Sequence, residues 1–335
     1  MDLNDCTAVA IADATDVAAA RRAAAELASE LGFPEPEAGK VALVVTEAAT
    51  NLLKHAGGGE VVLGQVRQRG VTGIGLLALD HGRGMDTARC LNDGYSTAGS
   101  AGTGLGAIRR HSSRLDVHSV PGGGTALLAQ LWPVSPAPAD PTGRLLLSAV
   151  CVAHPGERVC GDAWSAQHDL ERTTIVLADG LGHGPGASEA AGAAITAFQC
   201  HHTLALVELI ERIHGALRPT RGAAVAVVRI VPDEGIVTFA GVGNVVGVVL
   251  NGSSVRRMVS HNGTLGHAMR RVQEFTYPWS ERSLLVLHSD GLGTQWNLEA
   301  YPGLAARHPA LIGGVLYRDF SRKRDDVTVV VAKAA

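Results

Sequence analysis

Ala178-Asp179-Gly180-Leu181-Gly182-His183-Gly184 sets a carboxylate and a glycine-rich turn directly behind the apolar, strand-like run of residues 173–178. A single Asp-Gly is ordinarily a turn. Here the pattern recurs, because Gly161-Asp162 precedes it while Ser289-Asp290-Gly291 and Arg324-Asp325-Asp326-Val327-Thr328 follow, each beside an apolar run. Carboxylates held at the ends of rigid strands can share two divalent ions about 3.5–4 Å apart, and such ions activate a water for in-line attack on a phosphate ester. An oxygen-rich set without a Cys pair or a histidine array favours magnesium or manganese over zinc. His201-His202 and the pair His261 and His267 lack ligand spacing and read as surface or packing residues.

Outward from these clusters, strand-like runs dominate at 145–153, 173–178, 223–231, 235–240, 245–250, 283–288 and 326–332, with helices at about 186–200 and 203–217. Two sheets with helices outside would accommodate that order. Upstream, Pro133, Pro136, Pro138 and Pro141 interrupt both helix and sheet hydrogen bonding, so residues 133–143 read as a linker between a domain at 1–132 and another at 144–335. A chain of 335 residues accommodates two cores. Hydrophobic residues at 46% against 4% aromatic make aliphatic packing the rule. The formal charge of -3, with no basic run longer than Arg322-Lys323-Arg324, argues against a nucleic-acid partner. No apolar stretch reaches the roughly 20 residues of a membrane span, and the N-terminus lacks the form of a signal peptide, so a cytoplasmic protein without membrane attachment is expected. Five cysteines without a CxxC pair read as buried free thiols.

In the first half, residues 17–31 read as an Ala-rich helix and 37–55 as a second helix ended by Gly57-Gly58-Gly59. Strands at 60–68, 73–80, 114–120 and 125–132 then form a mostly antiparallel sheet with helices on one side. On the second helix Glu47, Asn51, Lys54 and His55 share one face above Val41, Val44, Val45 and Leu52. Asn offers magnesium a neutral oxygen, and Glu can accept a proton from an attacking hydroxyl. Asp80-His81-Gly82-Arg83-Gly84-Met85 stands at a strand end, and Gly99 to Gly106 opens a helix whose backbone amides can cradle phosphates.

The order of that helix, the Asp-x-Gly-x-Gly box, Gly102-Thr103-Gly104-Leu105-Gly106 and Gly124-Thr125 resembles the GHKL ATPase superfamily over about residues 10–132. The resemblance implies that Asp80 recognises the adenine amino group, with Gly82 and Gly84 in the same box. It further implies that Asn51 holds magnesium, that Gly102, Gly104 and Gly106 form the ATP lid, that Thr125 lies near the base, and that Glu47 is the general base. The small size and Asp93-Gly94-Tyr95-Ser96-Thr97 resemble the anti-sigma-factor serine kinases, particularly the RsbT-like ones. The series of acidic clusters resembles the PPM-type phosphatases of the SpoIIE and RsbX group over about residues 144–333. That resemblance implies Asp179 bridging two ions with the Gly180 carbonyl assisting, Asp290 and Asp325 completing one shell, and Asp162 on the other side; Asp326 is the second acid of a pair whose first is usually the ligand. His183 is open between a role toward the phosphate or leaving group and a helix cap. The chain lacks the basic Arg-rich segment with which larger relatives grip phosphate, and Arg158 is the nearest substitute.

The expected fold is thus α+β in two domains, a GHKL (Bergerat) α/β sandwich followed by a PPM-type α-β-β-α sandwich. The expected cofactors are ATP or ADP with Mg2+ in the first and two Mn2+ or Mg2+ in the second. The expected protein is a bacterial signalling switch that dephosphorylates Ser or Thr on a STAS-type partner and phosphorylates the same kind of partner, in a stress or sigma-factor pathway. Two other readings remain: a phosphatase regulated by a catalytically inert, nucleotide-sensing first domain, and an anti-sigma-type module that sequesters its partner.

Overall fold

The computed structural model describes residues 6–86, 104–134, 137, 145–169, 171–269 and 271–334. The chain forms two compact units, Met1–Thr142 with Asn297–Asp319, and Gly143–Trp296 with Phe320–Ala335. The segment Asn297–Asp319 belongs to the first unit although it lies inside the stretch 144–335.

In the first unit β1 (Thr7–Ile11), β2 (Gly59–Gln68), β3 (Val71–Leu79), β4 (Arg114–Ser119) and β5 (Thr125–Leu131) make one antiparallel sheet in the order β1-β2-β3-β5-β4. α1 (Ala14–Glu30) starts at a reciprocal cap: Asp13 accepts from the amides of Thr15 and Asp16, and Asp16 accepts from those of Ala12 and Asp13. Its buried face is Ala20, Ala24 and Ala28, one residue per turn, which lets the helix backbone approach α2 (Glu35–Asn51) closely. Val41, Val44, Val45 and Leu52 then fill the space above Leu63, Ile74, Leu76, Leu127 and Ala129 of the sheet. Each such large aliphatic side chain contributes about 1.5–3 kcal/mol by leaving water.

The helix expected to run to His55 keeps its α form only to Asn51; Leu52–Ala56 form one wider π-helical turn that ends at Gly57 with φ +74°. α3 (Gly104–His111) covers the other end of the sheet through Ile108. The first unit also holds a helix, Pro309–Phe320, in which every residue from Pro309 to Tyr317 is buried. Its Gly314 lies so near β3 that a Cβ there would stand 3.1 Å from Leu77 and 3.4 Å from Leu79.

The second unit stacks two antiparallel five-stranded sheets. The first has β7 (Asp162–His168), β8 (Thr173–Gly180), β9 (Ala223–Val231), β10 (Ile236–Val242) and β15 (Phe275–Pro278), in the order β15-β10-β9-β8-β7. The second has β6 (Leu145–Val152), β11 (Val246–Asn251), β12 (Ser254–Arg257), β16 (Ser283–His288) and β17 (Val327–Ala334), in the order β12-β11-β16-β17-β6. A short hairpin, β13 (Gly263–Thr264) and β14 (Ala268–Met269), stands apart. Leu147, Trp164, Leu177, Val228, Phe239, Leu285, Leu287 and Val330 from the inner faces fill the space between the sheets. α4 (Pro185–His201) and α5 (Leu206–Leu217) cover the outer face of the first sheet, with Ala190, Ala194, Phe198, Leu209 and Ile213 against Val176, Val225 and Val227.

Among the described residues no helix is long and apolar enough to cross a membrane. Among the described residues Cys6, Cys151 and Cys160 are buried, as the sequence suggests, and take part in no disulfide, but Cys200 is exposed, being on the outer side of α4. Cys90, residues 93–97, Gly99, Gly102, Thr103 and most of the Pro-rich segment lie outside the described residues.

Candidate functional sites

The first unit gathers polar groups where β3 ends and α2 passes. Asp80 follows β3 directly, and its amide donates to the Thr125 carbonyl at 2.9 Å. Its carboxylate Oδ1 in turn accepts from the amides of Gly82 (2.7 Å) and Thr125 (3.1 Å). One oxygen is committed to the backbone, and the carboxylate is set in a fixed orientation. Burial raises the Asp80 pKa, while those two amides and the nearby Arg318 and His81 charges hold the rise back.

Glycine is required at three points of this turn. A Cβ on Gly82 would meet Ala56 at 2.7 Å, so the π-helical turn and the Asp80 box fit only across a bare backbone. Gly84 (φ +70°) would collide with the Val120 carbonyl, and Gly124 (φ +74°) with the Asp80 carbonyl. Ser119 closes the arrangement, accepting from the Met85 amide at 2.8 Å and meeting the Thr125 hydroxyl at 2.9 Å. On the other side, a Cβ at Gly104 would lie 3.0 Å from Glu47 Oε2 and 3.4 Å from Asn51 Oδ1, so α3 begins against these two half-buried side chains. Gly106 is buried within α3. Lys54 and His55, on the π-helical turn, are exposed. A carboxylate, an amide, and a helix start beside both are groups that suit a phosphate-bearing ligand and its cation.

In the second unit the carboxylates meet at one end of the sandwich. Asp162 opens β7 and pairs directly across from Asp179 near the end of β8, and the Gly180 amide donates to the Gly161 carbonyl at 3.1 Å. Asp290 follows β16, and Asp325 and Asp326 precede β17. Asp326 accepts from the His154 amide at 2.8 Å through Oδ1, while its Oδ2 lies against Gly161. Asp325 turns back to accept from the Asp326 amide at 3.0 Å, and Asp290 accepts from Asn244 Nδ2 at 2.5 Å.

Four buried polar atoms in this region have no hydrogen-bond partner: Asp162 Oδ2, Asp179 Oδ2, Asp326 Oδ2 and His154 Nδ1. A buried ionised oxygen without a partner is costly, and a cation would remove that cost. Burial first, then the Asp290, Asp325 and Asp326 charges, push Asp179 up to about 7. Asp162 is raised well above the carboxylate range, by burial and then by Asp179. Among the described residues no three acidic, Cys or His side chains already converge as a finished cage. The donors are hard oxygens on rigid strand ends and mutually repulsive, which fits divalent cations that draw them together.

Around this end stands a second set of groups. His183 Nδ1 is 2.7 Å from Glu157 Oε1, and its ring stacks on His154 at 4.4 Å between centroids. The Arg221 guanidinium lies over the turn into α4: a Cβ on Gly186 would be 2.6 Å from its Cζ. Arg158 is exposed.

Residues 10–130 match the histidine kinase-like ATPase domain family, and residues 169–335 match the stage II sporulation protein E (SpoIIE) family. The chain is 34% identical over 131 residues to the serine/threonine-protein kinase RsbT of Bacillus subtilis (strain 168), covering 39% of this chain and 98% of RsbT. This chain belongs to the RsbT family, with a SpoIIE-type phosphatase domain joined behind. The phosphatase-type half is 27% identical over 139 residues to the phosphoserine phosphatase RsbX of the same organism, over 41% of this chain and 69% of RsbX. A solved structure from work on the bacterial stressosome superposes with TM-score 0.53 and 28% identity, over 57% of this chain and all of that one. RsbX in complex with magnesium superposes with TM-score 0.51 and 20% identity, over 58% of this chain and 98% of that one, a likeness of fold. The GHKL-type and PPM-type folds expected from the motifs are therefore those of the RsbT-like and SpoIIE-type domains.

Of the pair Asp325 and Asp326, Asp325 is half-buried and Asp326 carries the buried, partnerless oxygen. Glu157, Asn244 and Arg221 carry no motif signal in the sequence, being single polar residues of loops. Only the turn of the chain brings them beside Asp290 and the start of α4.

Proposed function

We propose that this protein is a bacterial signalling switch that removes phosphate from Ser or Thr of a STAS-type regulatory partner and can phosphorylate the same kind of partner. The observation that carries the phosphatase reading is the set of partnerless carboxylate oxygens on Asp162, Asp179 and Asp326 at one end of the sandwich. Asp179, with Asp162, Asp290, Asp325 and the Gly180 carbonyl, would hold two Mn2+ or Mg2+, and Asp326 joins that set. Such ions lower the pKa of water and neutralise charge on a phosphoryl group.

The chain's own residues complete the reaction. Arg221 receives a phosphate oxygen, and His183, held at Nδ1 by Glu157, gives its proton to the departing seryl or threonyl oxygen. The ester P–O bond breaks as a water oxygen bonds to phosphorus and that water gives up a proton to solvent, which leaves the free hydroxyl and inorganic phosphate. In the RsbT-like unit, Asp80 reads the adenine amino group beside Thr125, Gly82 and Gly84 keep that box tight, and Asn51 holds Mg2+. Gly104 and Gly106, with Gly102 beyond the described residues, would offer backbone amides to the phosphates, and Glu47 takes the proton from the attacking hydroxyl as the β–γ bridge of ATP breaks and ADP leaves. The proposal places this switch in the cytoplasm, in sigma-factor control, on the likeness of its two halves to RsbT and RsbX.

A second reading, ATP as a gate on the phosphatase, is favoured by one feature of the chain: in sequence, only four residues separate the Pro309–Phe320 helix from Asp325 and Asp326. The experiment that tests the proposal is manganese-dependent hydrolysis of p-nitrophenyl phosphate by the full chain, by Asp179→Asn and by Asp290→Asn, with and without ATP. Loss of hydrolysis in both variants is expected, and hydrolysis indifferent to both would sink the phosphatase reading.

A further inference from the structure

The adenine box of the first unit receives an additional element from far along the chain. Arg318, at the end of the Pro309–Phe320 helix, donates from Nη1 to the Asp80 backbone carbonyl at 2.8 Å. Its side chain is 5% exposed, so this donor is not simply replaced by water. Arg318 is in turn fixed by its neighbour, with Nε and Nη2 reaching the two oxygens of Asp319 at 2.7 and 2.9 Å. Asp319 also accepts from the Tyr301 hydroxyl at 2.7 Å and meets His81 Nε2 at 3.0 Å. His81 is the residue between Asp80 and Gly82, so the two neighbouring residues of the box are gripped from outside the sheet, one through its carbonyl and one through its ring.

The helix that carries these groups is built to lie on β3, since bare Gly314 sits against Leu77 and Leu79, the strand residues that lead into Asp80. At its opposite end the segment is anchored separately, by Arg307 Nη1 and the His308 amide on Asp116 at 3.2 and 2.9 Å. All of these residues belong to the first unit, and none from 297 to 319 lies within residues 10–130, the stretch that matches the ATPase domain family.

We infer that Arg318 and Asp319 are positioning residues of the nucleotide site: they hold Asp80 and His81 from behind, so that this RsbT-like domain reads adenine fully only when the Asn297–Asp319 segment is docked. The inference rests on the reading of Asp80 as the adenine-recognising carboxylate. The Asp80 amide, carbonyl and Oδ1 each have a defined partner, in Thr125, in Arg318, and in Gly82 with Thr125. Removing the guanidinium leaves a buried carbonyl unpaired and frees the turn to rotate, so the carboxylate loses its preset direction toward the base.

The test uses the full chain and a fluorescent adenine nucleotide, N-methylanthraniloyl-ADP with Mg2+, titrated by fluorescence, with GDP as competitor and the melting temperature followed in parallel. Arg318→Ala is expected to weaken binding about tenfold, the effect of one charge-assisted hydrogen bond, and to narrow the preference over GDP. Arg318→Lys, which keeps a donor without the fork, recovers part of the loss. Asp116→Ala releases the other anchor of the same segment and is expected to lower the melting temperature while leaving affinity within twofold. Equal weakening by Arg318→Ala and Asp116→Ala in step with melting, or no change in Arg318→Ala, would overturn the inference. Asp80→Asn separates the two levels: if it binds the nucleotide as the wild type does, the adenine reading itself fails, and if it loses binding while Arg318→Ala does not, only the positioning role fails.

Discussion

The glycine-rich box around Asp80 and the carboxylate end around Asp179 solve the same problem, a buried acid, in opposite ways. Asp80 has its Oδ1 satisfied by two backbone amides and is oriented by the protein alone. Asp179, Asp162 and Asp326 each keep a buried oxygen with no partner, and their neighbours are chiefly one another. The proposed nucleotide site would thus be preset before a ligand arrives, whereas the proposed metal site would be completed by its ions. Substitutions at the first should therefore change affinity, and substitutions at the second should remove function outright.

The largest expected effect breaks the comparison if it fails. Asp179→Asn, or chelation of the wild type, is expected to lower manganese-dependent p-nitrophenyl phosphate hydrolysis by about 10³-fold, the scale of losing several kcal/mol of charge stabilisation. The same variant should bind the fluorescent nucleotide within twofold of wild type. Conversely, Asp80→Asn should lose nucleotide binding and keep hydrolysis within twofold. A crossed effect of comparable size in either direction would mean the two sites do not divide the work as described.

Next in size is the proton given to the leaving group. His183→Ala is expected to slow hydrolysis of a phosphoserine peptide by about 10²-fold, within the usual range for general acids. p-Nitrophenyl phosphate, whose leaving group needs no proton, should slow no more than about threefold, since the general acid contributes only where a proton must be given. Glu157→Gln should show the same split more weakly, because Glu157 only holds His183 Nδ1. Equal slowing of both esters would assign His183 to the packing of the turn, where it stacks on His154.

Much of this division was legible in the sequence because strands bury alternate or continuous apolar residues and end at glycine and aspartate. The runs at 60–68, 114–120, 125–132, 223–231 and 283–288 became β2, β4, β5, β9 and β16 with ends shifted by two residues at most. The Pro309–Phe320 helix was not legible, because it is buried on every side from Pro309 to Tyr317 and so has no polar face to mark a helical period. Two glycines, Gly313 and Gly314, further weaken its local helix signal, yet Gly314 is what lets it approach β3. β1 and β7 were missed for a related reason. β1 is five residues long, and β7 mixes Asp, Ser, Gln and His with its buried Trp164. The motif residues themselves stood out because glycine beside acid is a backbone requirement as well as a chemical one. The residues that support them, Glu157, Asn244, Arg221 and Arg318, carry no local requirement and can be found only in three dimensions.

A smaller effect sharpens the contrast through pH. Burial, followed by its acidic neighbours, raises Asp179 from 3.8 to about 7 in the folded chain without metal. The folded state therefore binds a proton more tightly than the unfolded chain. In the metal-free protein this contribution to stability is greatest below pH 3.8, declines as pH rises through the interval, and is gone above about 7. A cation competes with that proton, so its stabilising effect should grow over the same interval. Differential scanning fluorimetry of the chelated chain should show melting fall between pH 5 and about 7, and manganese should raise it by about 5 °C at pH 7.5 and by less at pH 5. Asp179→Asn should flatten both trends. A manganese shift independent of pH would indicate that the ions bind elsewhere.

The smallest effect calibrates the others. Asp13 caps α1 through the Thr15 and Asp16 amides, on a part of the first unit that contributes to neither site. Asp13→Ala, which removes a helix cap, should lower the melting of the first unit by a few degrees. Thermal melting followed by circular dichroism measures it, and nucleotide affinity and phosphatase rate are expected to stay within experimental scatter of wild type. That variant defines what purely structural loss looks like in this chain. If it weakened nucleotide binding as much as a change near Asp80, the box would be following the stability of its unit as a whole, and its orientation by local hydrogen bonds would not be the reason it is ready before ligand arrives.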